Sequence, residues 1–252
     1  MEFRDKKVLI TGASRGIGKA TALAFAKQGA QVGLNYKSDT KAAEAVLRQM
    51  EGQGHRLFCR DIGLKEQCQA LMAEFLAHYG RLDILVNNAG ISIAHDVEQV
   101  DFKDWQAAWE ATMATNLFAA ANLSYLAARA MMASGGGRMV NVSSRGAFRG
   151  EPDHPAYGAS KAALNALGQS LAKKLAPHKI YVGTVAPGFT DTEMARAVLD
   201  RKERQEVIRE TPFGRMAAPE EVAHAILFLA SDKAAYSSGT IIDVNGASYL
   251  RS

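Results

Sequence analysis

Short apolar runs rich in β-branched residues alternate with longer stretches of helical periodicity along this chain. The runs with the composition of buried strands lie at residues 7–11, 32–36, 57–59, 84–87, 138–142, 180–186 and 241–244. The stretches between them predict helices near 17–28, 40–51, 65–79, 102–132, 156–175 and 219–230. This alternation is typical of an α/β fold, with a doubly wound parallel sheet of about seven strands and helices on both faces.

The region 188–218 lacks this alternation. It is charged, and it contains one further predicted short helix at 200–210. Long irregular regions inside compact domains often cover binding sites, so we predict a substrate lid at 188–218. Since no repeat or linker interrupts the chain, residues 1–252 are expected to form a single domain.

Composition excludes several classes of function. The chain has 252 residues, of which 48% are hydrophobic, and a net charge of +4 without a basic cluster interleaved with aromatics. This composition predicts a well-packed core and no nucleic-acid binding. We expect no membrane association and a cytoplasmic location, because no apolar run reaches the length of a membrane span and residues 1–5 lack a signal-peptide pattern. The two cysteines and six histidines show no metal-ligand spacing, so we expect no metal.

A glycine-rich turn follows the first predicted strand and opens the first predicted helix. Gly12 suits an unusual backbone turn, Gly16 lets the chain approach a pyrophosphate, and Gly18 permits close helix packing. The helix N-terminus offers N–H groups to phosphates. The turn predicts a Rossmann-like dinucleotide site that includes Gly12, Ser14, Arg15, Gly16, Ile17 and Gly18.

The end of the second predicted strand indicates which dinucleotide binds. An NAD site usually has a carboxylate there, whereas this chain reads Asn35-Tyr36-Lys37. Without a carboxylate to repel a 2′-phosphate, and with Arg15 as a partner for it, NADP is favoured over NAD. Lys37 is a second candidate contact or simply a solvated lysine.

Tyr157 and Lys161 are four residues apart in a predicted helix, so their side chains share a face. A phenol with a pKa of roughly 10 needs preferential stabilisation of its phenolate to act near neutrality, and a fixed cation supplies it. Such a pair also occurs by chance in many helices. Ser143 and Ser144 lie upstream and, as strand neighbours, would point in opposite directions.

Taken in order, these segments resemble the short-chain dehydrogenase/reductase family, in the subgroup that contains β-ketoacyl carrier-protein reductases and glucose 1-dehydrogenases. The resemblance covers essentially the whole chain. Its motifs are the glycine turn, Asp61, residues 87–90, Asn116, Ser144, Tyr157 with Lys161, Pro187-Gly188, and Gly239 with Val244-Asn245-Gly246.

The resemblance implies a catalytic role for four of these residues. Ser144 would hydrogen-bond the substrate oxygen, and Tyr157 would act as acid in reduction and base in oxidation. Lys161 would lower the Tyr157 pKa and hold the nicotinamide ribose. Asn116 would anchor a water that connects Lys161 to bulk solvent. The alternative role of Asn116 is that of a solvated or kink-associated helix amide.

Further residues are expected to contact the cofactor. Asp61 is placed to accept from the adenine amino group or to cap the next helix, and Asn87 is interpreted as a structural amide between strands. The expected contacts outside the glycine turn are Asn35, Tyr36, Lys37, Asp61, Ile62, Asn88, Ala89, Gly90, Tyr157, Lys161, Pro187, Gly188, Thr190 and Thr192.

The function implied is NADP(H)-dependent hydride transfer between the nicotinamide and a carbonyl or secondary alcohol. A 3-oxoacyl-acyl carrier protein reductase and a polyol or sugar dehydrogenase remain alternatives within the family. A catalytically silent NADP-binding sensor or scaffold, and an epimerase or dehydratase of the longer branch, are alternatives outside this activity.

Specificity and assembly depend on less regular segments. An insertion within 90–116, which contains His95, lies near the expected pocket mouth. Arg145 and Arg149 are interpreted as surface arginines in preference to ligands for a substrate anion. The helix around Tyr157 carries the small residues Ala159, Ala162, Ala163 and Ala166, which allow close approach of another helix. With the family resemblance, they predict a homotetramer.

Overall fold

One parallel sheet forms the centre of the computed structural model, which describes residues 1–193, 195 and 201–251, without the side chains of 201–203. Its strands are β1 Lys7–Ile10, β2 Gln31–Tyr36, β3 Arg56–Cys59, β4 Ile84–Asn87, β5 Gly137–Val142, β6 Ile180–Pro187 and β7 Ile241–Val244. The strand order is β3-β2-β1-β4-β5-β6-β7, and every neighbouring pair is parallel. The predicted doubly wound sheet is confirmed, with its switch point between β1 and β4.

Helices cover both faces of this sheet. They are α1 Gly16–Lys27, α2 Thr40–Leu47, α3 Lys65–Tyr79, α4 Phe102–Met113, α5 Ala119–Ser134, α6 Gly146–Arg149, α7 Pro155–Leu175, α8 Arg201–Glu210 and α9 Pro219–Ala230. Within β1, Val8 and Ile10 join the core formed with α1 and α9, whereas Leu9 joins the core formed with α3 and α5. This alternation follows from the two-residue period of a strand, and it explains why β1 is apolar on both faces.

The long helix predicted at 102–132 is interrupted. α4 and α5 are joined by a five-residue π-helical segment, Ala114–Phe118. Such segments insert an extra residue into a helix and are frequent at functional sites. Hydrophobic periodicity did not reveal the break, because the register shifts by less than one turn.

The 188–218 segment begins and ends at adjacent positions in space. Thr190 forms a parallel bridge with Ala217, whose N–H donates to the Phe189 carbonyl at 3.0 Å. α8 lies between these ends and confirms the predicted short helix, except for its first residue, Asp200, which lies outside the described residues.

Among the described residues, no helix has both the length and the apolar character that crossing a bilayer requires.

A row of polar residues crosses three central strands in register. Asn87 pairs with Asn141, which pairs with Thr184. The Asn87 side-chain amide donates to Asn141 Oδ1 and to Ser124 Oγ, both at 3.0 Å. Because these atoms are buried, the hydrogen bonds join β4, β5 and α5, and the interpretation of Asn87 as a structural amide is confirmed.

Replacement of Asn87 by Leu should destabilise the protein, because it leaves buried acceptors on Asn141 and Ser124 without a donor. We expect the free energy of unfolding to fall by about 2 kcal/mol in urea titrations. Gln69→Leu, at an exposed position of α3, is the control and should have little effect. Equal stabilities of the two variants would contradict the proposed cross-strand role.

Candidate active site at the carboxyl ends of the strands

The turns after β1 and β4 are joined by hydrogen bonds at the switch point of the sheet. Asn88 Nδ2 donates to the carbonyls of Thr11 and Gly12 at 2.8 and 3.1 Å. The backbone N–H groups of Asn88 and Ala89 both donate to Thr11 Oγ1 at 3.0 Å. These contacts hold the predicted glycine turn against residues 88–90, where open α/β sheets bind ligands.

Glycine is required in this turn for two reasons. Gly12 and Gly16 adopt φ values of 63° and 54°, which are unfavourable for residues other than glycine. A Cβ atom on Gly12 would lie 3.0 Å from the Ala89 Cα, and one on Gly18 would overlap the Gly12 carbonyl. The exposed Arg15 precedes α1 without capping it through its side chain, so N–H groups of the helix N-terminus are left for an anion to bind.

The end of β2 differs in part from expectation. The buried Asn35 amide donates to the carbonyls of Phe58 and Arg60 at 3.2 and 3.0 Å, so its side chain serves the strand ends instead of facing a cofactor. Tyr36 shares a hydrogen bond of 3.3 Å with Thr40 Oγ1.

Lys37 and Asp61 form an ion pair at 2.8 Å across the ends of β2 and β3. Burial raises the pKa of Asp61, but hydrogen bonds from Lys37 and the Gly63 amide outweigh it and hold the pKa below its usual value. Asp61 is not the cap of the next helix, because Leu64 precedes α3 at that position. Ile62 packs in the hydrophobic core, which leaves only its backbone for a cofactor contact.

The two serines after β5 contact different parts of α7, and their expected opposite orientations stay a prediction. Ser143 Oγ donates to the Lys161 carbonyl at 3.2 Å. Ser144 Oγ accepts from the Gly146 N–H at 3.0 Å and interacts with the Tyr157 hydroxyl. Ser144 and Tyr157 therefore meet at the carboxyl end of β5.

Tyr157 is half-buried near the start of α7. Burial raises its pKa, a hydrogen bond with Ser144 lowers it, and the negative charge of Glu151 raises it further. The net shift is upward, so the phenol is neutral at physiological pH and holds a proton that it can donate.

Lys161 is buried one turn after Tyr157. Its Nζ atom lies 5.7 Å from the centre of the Tyr157 ring and donates to the Val142 carbonyl at 2.8 Å. Burial lowers the pKa of Lys161 to about 8. The expected lowering of the Tyr157 pKa is wrong for this arrangement, because the ammonium bonds to the strand carbonyl and burial dominates the tyrosine.

Asn116 lies in the π-helical segment and is buried. Its Nδ2 donates to the Ile91 carbonyl at 2.9 Å and to Ser160 Oγ at 3.1 Å, and its Oδ1 accepts from the Ile91 N–H at 2.8 Å. A solvated amide is therefore excluded, and the kink-associated interpretation holds. A Cβ on Gly90 would lie 3.3 Å from Lys161 Nζ and 3.4 Å from Asn116 Oδ1, so Gly90 lies where these two side chains converge.

The segment after β6 approaches the glycine turn from the other side. A Cβ on Gly188, which follows Pro187, would lie 2.9 Å from the Asn245 Cα, and one on Gly16 would lie 3.1 Å from the Thr192 methyl. Thr190 is held by its bridge to Ala217. A groove of about 640 Å³ separates α1 from this segment, lined in part by Gly16, Thr192 and Arg204.

His95 does not lie open at the pocket mouth as expected, because it is buried. Its Nδ1 is 2.8 Å from the Ile93 carbonyl, and its Nε2 accepts from the Ala156 N–H at 3.2 Å. The insertion thus supplies a cap for α7 one residue before Tyr157. The sequence held a signal for it: the helix begins with Pro155 and lacks a capping side chain of its own.

Arg145 is also misassigned by sequence alone. Its side chain is only 3% exposed and forms an ion pair with Glu210 of α8 at 3.1 Å. The prediction of a surface arginine is wrong, because α8 folds back over the loop that follows β5.

In the part of the chain that the structure describes, no cluster of three or more His, Cys, Asp or Glu side chains is placed to hold a metal ion.

The buried Lys161 should make stability depend on pH. Its folded pKa of about 8 lies below the value of 10.5 in the unfolded chain, so above pH 8 the unfolded chain binds a proton that the folded chain has lost. The free energy of unfolding should therefore rise with pH, relative to Lys161→Met, by about 2 kcal/mol between pH 7.5 and 9.5. Parallel pH profiles in urea titrations would contradict the assigned burial.

Comparison with known proteins agrees with this geometry. A family model described as Enoyl-(Acyl carrier protein) reductase matches residues 12–247. The 3-oxoacyl-[acyl-carrier-protein] reductase FabG of Escherichia coli K12 is 36% identical over 250 residues, which cover 99% of this chain and 100% of the relative.

Two further relatives carry the same name. The FabG of Thermotoga maritima is 36% identical over 248 residues, 98% of each chain. That of Staphylococcus aureus Mu50 is 35% identical over 247 residues, covering 97% of this chain and 98% of the relative. The chain therefore belongs to the short-chain dehydrogenase/reductase family, and it is an oxidoreductase that acts on carbonyl and hydroxyl groups.

Proposed function

We propose that this protein is an NADP(H)-dependent reductase that moves a hydride between the nicotinamide and a carbonyl or secondary alcohol. The observation that carries the proposal is the meeting of Ser144, Tyr157 and Lys161 at the strand ends beside the glycine turn. The glycine positions form a cradle that side chains would fill, which fits a dinucleotide. When bound, the nicotinamide supplies the hydride.

The protein's own groups manage the substrate oxygen. Ser144 donates a hydrogen bond to it, and Tyr157, neutral at physiological pH, donates the proton during reduction. Lys161, with a pKa of about 8, is mainly cationic at neutral pH, and its proposed role is to hold the nicotinamide ribose. Asn116 fixes the backbone of Ile91 beside Lys161, and a water bound near it is the proposed route for reprotonation.

Cofactor choice is proposed from charge. The side chains at the end of β2 include no carboxylate that faces the turn, and Arg15 is exposed beside it. Arg15 is therefore the proposed partner of a 2′-phosphate. Lys37 is already paired with Asp61 and contributes less.

Assembly and location complete the proposal. Exposed aromatic side chains on α4, the π-helical segment and α5 support a homotetramer: Phe102, Phe118 and Tyr125. We place the protein in the cytoplasm and treat 188–218 as the substrate lid.

A 3-oxoacyl-acyl carrier protein reductase is the second candidate, favoured by full-length identity of about a third to proteins of that name. Arg129, Lys173 and Lys174 are exposed at the ends of α5 and α7, where an acidic carrier can dock.

A substrate panel with Tyr157→Phe as its control tests the function. We expect NADPH oxidation with at least one of acetoacetyl thioesters, simple ketones and keto sugars, and loss of turnover by roughly 10³-fold in the variant with NADPH binding retained. Preference for thioesters would select the carrier-protein reductase. No turnover on any substrate, in either direction, would favour the silent NADP-binding sensor.

Arg15→Ala tests the cofactor assignment. Loss of a charge-assisted contact to the 2′-phosphate should raise the KM for NADPH about tenfold and leave that for NADH unchanged. Lys37→Ala, the matched control, should have a smaller effect because of its ion pair. Equal changes with both cofactors would remove the basis for NADP preference.

A further inference from the structure

Arg145 is a buried cation immediately after Ser144. Its side chain is 3% exposed, and its Nη2 is bonded to Glu210 Oε2 at 3.1 Å. Its Nη1 is buried without a hydrogen-bond partner among the described residues. A buried guanidinium without a counter-charge is costly, so the position of Arg145 depends on Glu210.

Three segments of the site meet at this side chain. The Arg145 N–H donates to the Pro187 carbonyl at 2.8 Å, and its guanidinium lies 4.7 Å from the centre of the Phe189 ring. Glu210 is the last residue of α8. Arg145 therefore contacts the ends of β5 and β6 and the helix of the 188–218 segment at once.

Glu210 also binds a second arginine. Arg149 Nη1 is 3.3 Å from the same Oε2 atom, and Arg149 Nε is 3.7 Å from Glu151. Glu151 in turn raises the pKa of Tyr157. The ionic cluster thus reaches from α8 to the surroundings of the proposed proton donor.

Direct binding of a substrate anion by Arg145 is not compatible with this arrangement. The guanidinium is enclosed, and its charge is already opposed by Glu210. Val207, one turn earlier in α8, is buried and anchors the same helix through apolar contact. Arg145 and Glu210 are the ionic part of that anchor.

We propose that Arg145 is a positioning residue that, through Glu210, holds helix α8 closed over the segment carrying Ser144. The effect of this closure on substrate binding rests on the proposed function, whereas the closure of α8 is independent of it. Opening of α8 removes the counter-charge from a buried cation, so the helix and the Ser144 loop rearrange together. The cluster thereby couples closure over the substrate to the placement of Ser144.

A double-mutant cycle of Arg145→Met and Glu210→Gln in the full chain tests this coupling. Trypsin cleavage within α8, measured at Arg204, reports opening without any need for turnover. We expect each single variant to be cleaved about fivefold faster and the double variant to be no faster than the single variants. With NADPH and an active substrate, KM should rise about tenfold, with a smaller change in kcat.

Glu206→Gln, at an exposed position of the same helix, is the matched control and should change neither cleavage nor KM. Arg145→Lys, which keeps a cation, should restore part of the protection. Unchanged cleavage in Glu210→Gln, or multiplicative effects in the double variant, would overturn the proposal. If Arg145→Met does not fold, Glu210→Gln decides alone, because the Glu210 side chain is 49% exposed.

The cleavage assay separates failure of the coupling from failure of the proposed function. Faster cleavage of the variants in a protein without turnover would support the closure and reject the activity. An active enzyme whose variants are cleaved at the wild-type rate would reject the closure alone.

Discussion

The hydrogen bonds between Thr11 and the turn after β4 are the constraint on which the site depends. They join the two halves of the sheet where the strand order reverses, and they bring the glycine turn within van der Waals distance of residues 88–90. Backbone contact this close requires glycine at positions 12 and 18. Because the strands are parallel, Ser144 after β5 and Gly188 after β6 lie at the same edge of the sheet as the glycine turn.

Burial sets the electrostatics of this edge more than pairing does. Tyr157 keeps its proton because it is buried near Glu151, while Lys161 is partly destabilised as a cation and donates to the Val142 carbonyl. The neutral Tyr157 phenol therefore has a proton to donate in reduction, next to a Lys161 ammonium whose pKa is lowered. The four-residue spacing placed both groups on one helical face, but the depth of that face decided their pKa values.

Polar residues that looked available to a substrate instead hold the catalytic elements in place. His95 caps α7, and Arg145 with Glu210 ties α8 to the end of β5. His95 accepts from the Ala156 N–H, and Glu210 supplies the negative charge opposite the buried Arg145 guanidinium. Side chains of the types that often bind ligands therefore serve here to hold elements of the fold together.

Periodicity and motif spacing were sufficient to predict the parallel sheet, the glycine turn and the structural role of Asn87. These features follow from residues near in sequence, since strand alternation, helical repeat and positive φ are local properties. The π-helical break at Asn116, the cap from His95, the buried Arg145 and the dominant effect of burial on Tyr157 required the tertiary structure. They depend on burial and on partners from distant segments, and no local pattern encodes either.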